Sequence, residues 1–239
     1  QAMFLRREIA TTVALPTKRT QCILIPWCSD YERDQYIRLF KEVSEYVSRK
    51  GFQTEVLTYL NNLRFFCSTG IMPHSDVTTA EEEDGEVDLQ FTRDGRGMNP
   101  KDVPRMRKEG TVVDEHFFNL YQIPGKLREV VRLVSSIPTN EKIVIFSQWL
   151  HVLSVLEDCL DNTVRYDGRM SYEAKNVALE TFANDDRMRI LLISLKAGNA
   201  GINLSCASRV IMVDPWWNPG VEKQAEDRVY RIGQVRPVF

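Results

Sequence analysis

Near the C-terminus the chain reads EKQAEDRVYRIGQ, ending at Gln234. Gln224, Arg228 and Arg231 recur at intervals of four and three residues, so on a helix they share one face, and Gly233 then marks the helix end. A solvated face with Glu222, Glu226 and Asp227 as ion-pair partners accounts for the same residues. The two guanidinium groups acquire chemistry only if the rest of the chain gives them a target.

Other segments offer polar groups of the kind that hold phosphate. In SLKAGNAGINLS, Gly198 and Gly201 allow positive φ and close backbone approach to a ligand, while Lys196 adds charge and Asn199 and Asn203 add hydrogen bonding. A glycine-rich turn between strand and helix explains the glycines equally well. IVIFSQW places Ser147 and Gln148, a hydroxyl and an amide suited to a phosphodiester, just after an apolar run. Ser147 serves as well as a helix N-cap. DPWWNP sets Trp216 and Trp217 side by side, and two adjacent tryptophans cannot both face one core.

The elements that position these loops follow from periodicity. KIVIF (Lys142–Phe146), TVRYD, RILLIS and RVIMVD are short, nearly all-apolar runs of the kind buried in a parallel sheet. QWLHVLSVLEDCL, SYEAKNVALETFAND (N-capped by Ser171) and Val221–Ile232 read as the helices between and after them. Alternation of strand and helix implies an α/β fold with a doubly wound parallel sheet and right-handed crossovers. Functional loops then lie beyond the strands' carboxyl ends: Ser147–Gln148, Asp167–Arg169, Ser194–Asn203 and Asp214–Gly220 along one edge. Upstream, SDYERDQYIRLFKEVSEYVSRKG is an amphipathic helix, capped by Ser29 or Asp30 and ended by Gly51, with Tyr36, Leu39, Phe40, Val43 and Val47 on its apolar side. QTEVLTYLNNLRFFC reads as a second helix and TQCILIPW as a strand before the first.

Composition bounds the rest. The chain has 239 residues, 43% hydrophobic, with a formal charge of −2, which excludes a protein that coats nucleic acid by charge alone but permits a local basic groove. Five cysteines without a C-x-x-C pair point away from zinc and disulfides and towards a reducing, intracellular compartment. Residues 68–121 are rich in Gly, Pro, Asp and Glu and poor in apolar periodicity, which predicts a flexible acidic insertion. The expected organisation is a bridging segment of strand and helices over residues 1–67, the insertion over 68–121, and an α/β domain over 122–239. A first residue other than Met and a final RPVF resembling the opening of another strand lead us to expect a piece of a larger protein. No G-x-x-x-x-G-K-[ST] occurs, and VDEHFF lacks the preceding apolar strand that a magnesium-holding acidic pair needs. The chain alone is not expected to hydrolyse ATP.

KIVIFSQW, YDGRMS and LLISLKAGNAGINLSCASRVIMVDPWWNPGVEKQAEDRVYRIGQ, in this order, resemble motifs IV to VI of the SWI/SNF-type DNA-dependent ATPases, the double-stranded-DNA translocases of helicase superfamily two. The resemblance covers roughly Gly125 to Phe239. FLRREIATTVALPTK and LTYLNNLRFFCSTG resemble, more loosely, the segments bridging that family's two lobes. Asn199 stands where Gly is usual and Tyr230 where His is frequent, which leaves the subfamily open.

The resemblance implies a second RecA-like lobe that completes an ATP site whose P-loop and Mg2+ ligands belong to a first lobe. It implies arginine fingers at Arg228 and Arg231, with Gln224, Gly201 and Asn203 towards the nucleotide. Ser147, Gln148, Arg169, Lys196, Ala197, Gly198, Asn199 and Trp216 would face the backbone of double-stranded DNA, or of nucleosomal DNA. It further implies a nuclear protein of chromatin remodelling or DNA repair. The alternatives are a degenerate lobe kept as a DNA- or protein-binding scaffold, and a strand-separating RNA helicase.

Overall fold

A computed structural model describes residues 15–27, 29–51, 54–70, 123–199 and 201–239 of the chain. The expected insertion and the VDEHFF segment therefore lie outside the described residues, apart from the insertion's first three positions. The chain divides into two compact units, Gln1–Leu24 with Arg132–Phe239, and Ile25–Val131.

Among its described residues the second unit is helical. Helix α1 spans Asp30–Lys50, with the Ser29 hydroxyl accepting from Glu32 N at 3.1 Å and the Gly51 N–H donating to Val47 O at 2.8 Å. Gly51 leaves the helix at φ 73°, a conformation that penalises a Cβ. Helix α2 spans Thr54–Thr69 and packs on α1 through Leu39, Val43, Leu63 and Phe66. Phe40, expected on the apolar side, is 52% exposed. Ser68 and Thr69, assigned above to the insertion, complete α2, each hydroxyl bonding the carbonyl four residues back.

The first unit holds the sheet. Strands β1 (Ile143–Ser147), β2 (Thr163–Tyr166), β3 (Ile190–Ser194) and β4 (Arg209–Met212) are all parallel in the order β2-β3-β1-β4. Helix α3 (Gly125–Ser136) precedes β1, α4 (Leu150–Cys159) joins β1 to β2, α5 (Tyr172–Asn184) joins β2 to β3, and α6 (Pro219–Glu226) follows β4. Central β1 and β3 are buried at every residue, as continuous Ile/Val/Leu runs require, whereas β4, expected to be equally buried, is half-buried because it lies outside them. Val144, Phe146, Leu191 and Ile193 face one core with Phe182 of α5, Leu204, Ala225 and Val229.

Two expectations need correction. TQCILIPW forms no strand: Leu24 is 89% exposed, and the bridge to a neighbouring segment falls earlier, at Lys18, which pairs in parallel with Val238. RPVF itself runs beside β4, with Val210 N donating to Phe239 O at 2.9 Å and Phe239 N to Ser208 O at 3.1 Å. Helix α6 stops at Glu226 rather than reaching Ile232. Beyond it the bonding tightens, with Arg228 N donating to Ala225 O at 3.2 Å and Val229 N to Glu226 O at 2.9 Å.

Candidate functional site

The parallel register pairs Ser147 with Ser194, Phe146 with Met212 and Tyr166 with Ile193, so the loops after all four strands emerge on one edge. This is the edge that strand–helix alternation demands, and the expected site residues separate into two groups around it.

The first group gathers about Arg228 and Arg231. With α6 ended at Glu226, neither arginine is on a helix face; Arg228 lies in the turn and Arg231 beyond it. Tertiary hydrogen bonds replace the helix as their support. The Leu204 N–H donates to Arg228 O at 3.0 Å, and Arg231 Nη1 donates to Ile202 O at 3.1 Å. These bonds set the half-buried arginines beside the exposed residues Gly201 and Asn203. Gly201 adopts φ 41° with no atom within 4 Å of where a Cβ would stand, so its backbone is open to a ligand. Asn203 Oδ1 accepts from Ser205 N at 3.1 Å and shapes the same turn. Gln224 is exposed on α6. Gln234 has a different role: its Nε2 donates to Ala207 O at 2.7 Å and Val229 O at 3.2 Å, and its Oε1 accepts from Val235 N and Arg236 N. It is a buried bolt of the fold.

The second group lies in the loops after β1, β2 and β3. Lys196 and Arg169 are exposed there, Ala197 and Gln148 half-buried. Arg169 is held by Asp167, which accepts Arg169 N at 3.0 Å and Arg169 Nη2 at 3.0 Å as well as Arg165 Nε at 2.9 Å. Burial alone would raise the Asp167 carboxyl, but the Arg169 hydrogen bond and the two guanidinium charges outweigh it and hold it below its ordinary value.

Three members of this group are placed differently from the expectation. Ser147 is fully buried, its hydroxyl donating to the buried Asp214 carboxylate and accepting from Trp149 N at 3.0 Å, so it serves the fold and presents nothing to a phosphate. Gly198 is buried because a Cβ there would meet Phe146 Cε1 at 2.9 Å, so its glycine answers to packing. Trp216 packs against the sheet core, its backbone N–H donating to Glu222 Oε1 at 2.7 Å, while Trp217 is 51% exposed and is the tryptophan available to a partner. The Asn199 side chain lies outside the described atoms.

Sequence reading passed over Lys18 and Tyr230 as site elements. Lys18 pairs with Glu226 across 208 residues of sequence, a separation that leaves no local signal.

Residues 125–233 match the helicase conserved C-terminal domain. The DNA repair protein rad8 of Schizosaccharomyces pombe is 48% identical over 119 residues, which are 48% of this chain and 10% of that protein. The ATP-dependent helicase ULS1 of Saccharomyces cerevisiae is 44% identical over 115 residues, 46% of this chain and 7% of that protein. The similarity thus spans about a tenth or less of these relatives' own length. Among solved structures, the C-terminal part of the Fun30 ATPase domain superposes with a TM-score of 0.65 at 22% identity, covering 94% of this chain and 84% of that one. The Sulfolobus solfataricus SWI2/SNF2 ATPase core in complex with dsDNA gives 0.56 at 19% identity, covering 88% and 37%. At such identities the likeness establishes the fold.

Proposed function

We propose that the chain, whose residues 125–233 match the helicase conserved C-terminal domain and whose fold is that of the C-terminal lobes of SWI2/SNF2 ATPases, completes the ATP site of a double-stranded-DNA translocase and grips the DNA backbone. The observation that carries this reading is the turn holding Arg228 and Arg231, tied by hydrogen bonds to the buried Ile202 and Leu204, which flank the exposed Asn203. Phosphoryl transfer spreads negative charge over equatorial oxygens, and a fixed guanidinium stabilises it; such a residue contributes ~10³–10⁵ in rate. The bond to Ile202 O occupies one of the five N–H donors of Arg231 and fixes its approach.

In this reading a first lobe elsewhere in the protein supplies the P-loop and the magnesium ligands. Among the described residues no three His, Cys, Asp or Glu side chains form a cluster that could hold a metal. Arg169, Lys196, Gln148 and Trp217 present the surface for a DNA backbone, in keeping with the dsDNA held by the similar archaeal core. Sequence-independent tracking needs charge and hydrogen bonding to phosphate, which this edge supplies. The name of the rad8 relative directs the proposal to DNA repair, and a role in chromatin remodelling in the nucleus is proposed with it. No described helix is long and apolar enough to cross a membrane.

The test is Arg231→Ala in the full-length protein. DNA-stimulated ATP hydrolysis should fall ~10³-fold or more, while loss of the bond to Ile202 O lowers stability by only about 1 kcal/mol and leaves the protein folded. Near-normal turnover would remove the arginine-finger role.

A further inference from the structure

The arginine-bearing turn is held from two sides. One side is the Ile202–Leu204 stretch described above. The other is a short segment more than two hundred residues away in sequence. Lys18 Nζ donates to Glu226 Oε2, the two side chains being 29% and 26% exposed, and the same ammonium stands 5.7 Å from the centroid of the Tyr230 ring. The Tyr230 hydroxyl donates to Pro16 O at 3.0 Å. Backbone bonds extend the grip, with Val238 N donating to Thr17 O and Arg19 N to Val238 O, each at 2.9 Å.

These contacts bracket the turn. Glu226 ends α6, and its carbonyl accepts from both Val229 N at 2.9 Å and Tyr230 N at 2.8 Å, so the turn hinges on this residue. Its carboxylate is the group that Lys18 holds. Arg228 and Arg231 lie inside the bracket formed by Glu226, Tyr230 and Val238. The holding residues, Pro16 to Arg19, belong to the stretch that runs directly into Ile25, where the helical unit begins.

We propose that Lys18, with Pro16 and Tyr230, is a positioning residue for Arg228 and Arg231, tying the turn that carries them to the connector leading into the helical unit. The proposal rests on the reading of those arginines as fingers. A guanidinium displaced by about 1 Å loses most of its value in the transition state, with a cost on the order of 10²-fold. Lys18 therefore acts on turnover and leaves ground-state binding alone.

The experiment uses the full-length protein with Lys18→Met, which keeps the apolar stem and removes the charge, alongside Lys18→Arg and the exchanged pair Lys18→Glu/Glu226→Lys. Lys18→Met should lower kcat for DNA-stimulated ATP hydrolysis roughly 10–100-fold, leaving the KM for ATP and the affinity for DNA within about twofold. Lys18→Arg and the exchanged pair should recover most of the loss. Hydrogen exchange should quicken at Val229 and Tyr230 in Lys18→Met while the β1 and β3 amides stay protected. Wild-type kcat in Lys18→Met, or faster exchange across the whole sheet together with the turn, would overturn the proposal. The Arg231→Ala result separates the two readings. If Arg231→Ala is inactive and Lys18→Met fully active, only the positioning role fails; if Arg231→Ala turns over normally, both fail.

Discussion

A methyl group added to Gly198 would meet Phe146 Cε1 at 2.9 Å, closer than packed carbon atoms approach. Gly198→Ala should therefore destabilise the sheet unit by about 1–3 kcal/mol, as overpacked cores do, read as a lower urea midpoint with an unchanged slope. If Gly198 served only to admit a phosphate, stability would not move. The same distinction applies to Ser147 and Gln234, whose residue types suggest ligand contact and whose hydrogen bonds all turn inward. Their presence therefore does not separate an active lobe from a scaffold. Chemical type identified polar residues near the site; only burial and partners told which of them face solvent.

At the scale of elements, local signals set starts better than ends. Ser171, and Ser29 of the two candidates Ser29 and Asp30, cap their helices through a side-chain oxygen as expected, and Asn218 does the same for α6, which starts two residues before the expected Val221. The end of α6 carries no such mark, because its last turn is replaced by bonds to Ile202 and Leu204, which are remote in sequence. Helix α3 is legible in hindsight from Leu127, Val130 and Val134, a three-four spacing that the preceding acidic stretch obscured. The C-terminal end of α5 shows how one side chain closes an element. Lys142 Nζ donates to Phe182 O, to Asp185 O at 3.0 Å and to Met188 O at 3.3 Å, and it stands 5.2 Å from the Phe182 ring centroid. Lys142→Met would keep the stem but strip these carbonyls of their donor and the helix terminus of its cation. A cost of about 1–3 kcal/mol is expected, and thermal melting of the variant checks it.

For the whole molecule, ion pairs that join distant segments give stability a pH dependence of defined sign. The Arg209 hydrogen bond is the main cause that holds Glu141 below its ordinary value, and Asp167 is likewise depressed by its arginines despite burial. A carboxylate depressed in the folded state contributes stability that is fully present above its unfolded pKa, about 4, and lost as pH falls through the folded value. The urea midpoint should be level from neutral pH down to about 5 and decline below about 4, and Glu141→Gln should shrink that decline. A decline of equal size in Glu141→Gln would show that the Glu141–Arg209 pair is not its source. The sequence by itself determined the class of fold, the parallel sheet and the edge where function belongs, because periodicity and apolar runs are local properties that each segment carries alone. It also carried the resemblance to the SWI/SNF-type ATPases, through residues in fixed order from Lys142 to Gln234. Tertiary structure decided which of two tryptophans is exposed, which serine is buried, where the last helix stops and which lysine holds the arginine-bearing turn. Those outcomes depend on pairs such as Lys18–Glu226 and Ser147–Asp214, whose partners meet only when the chain has folded.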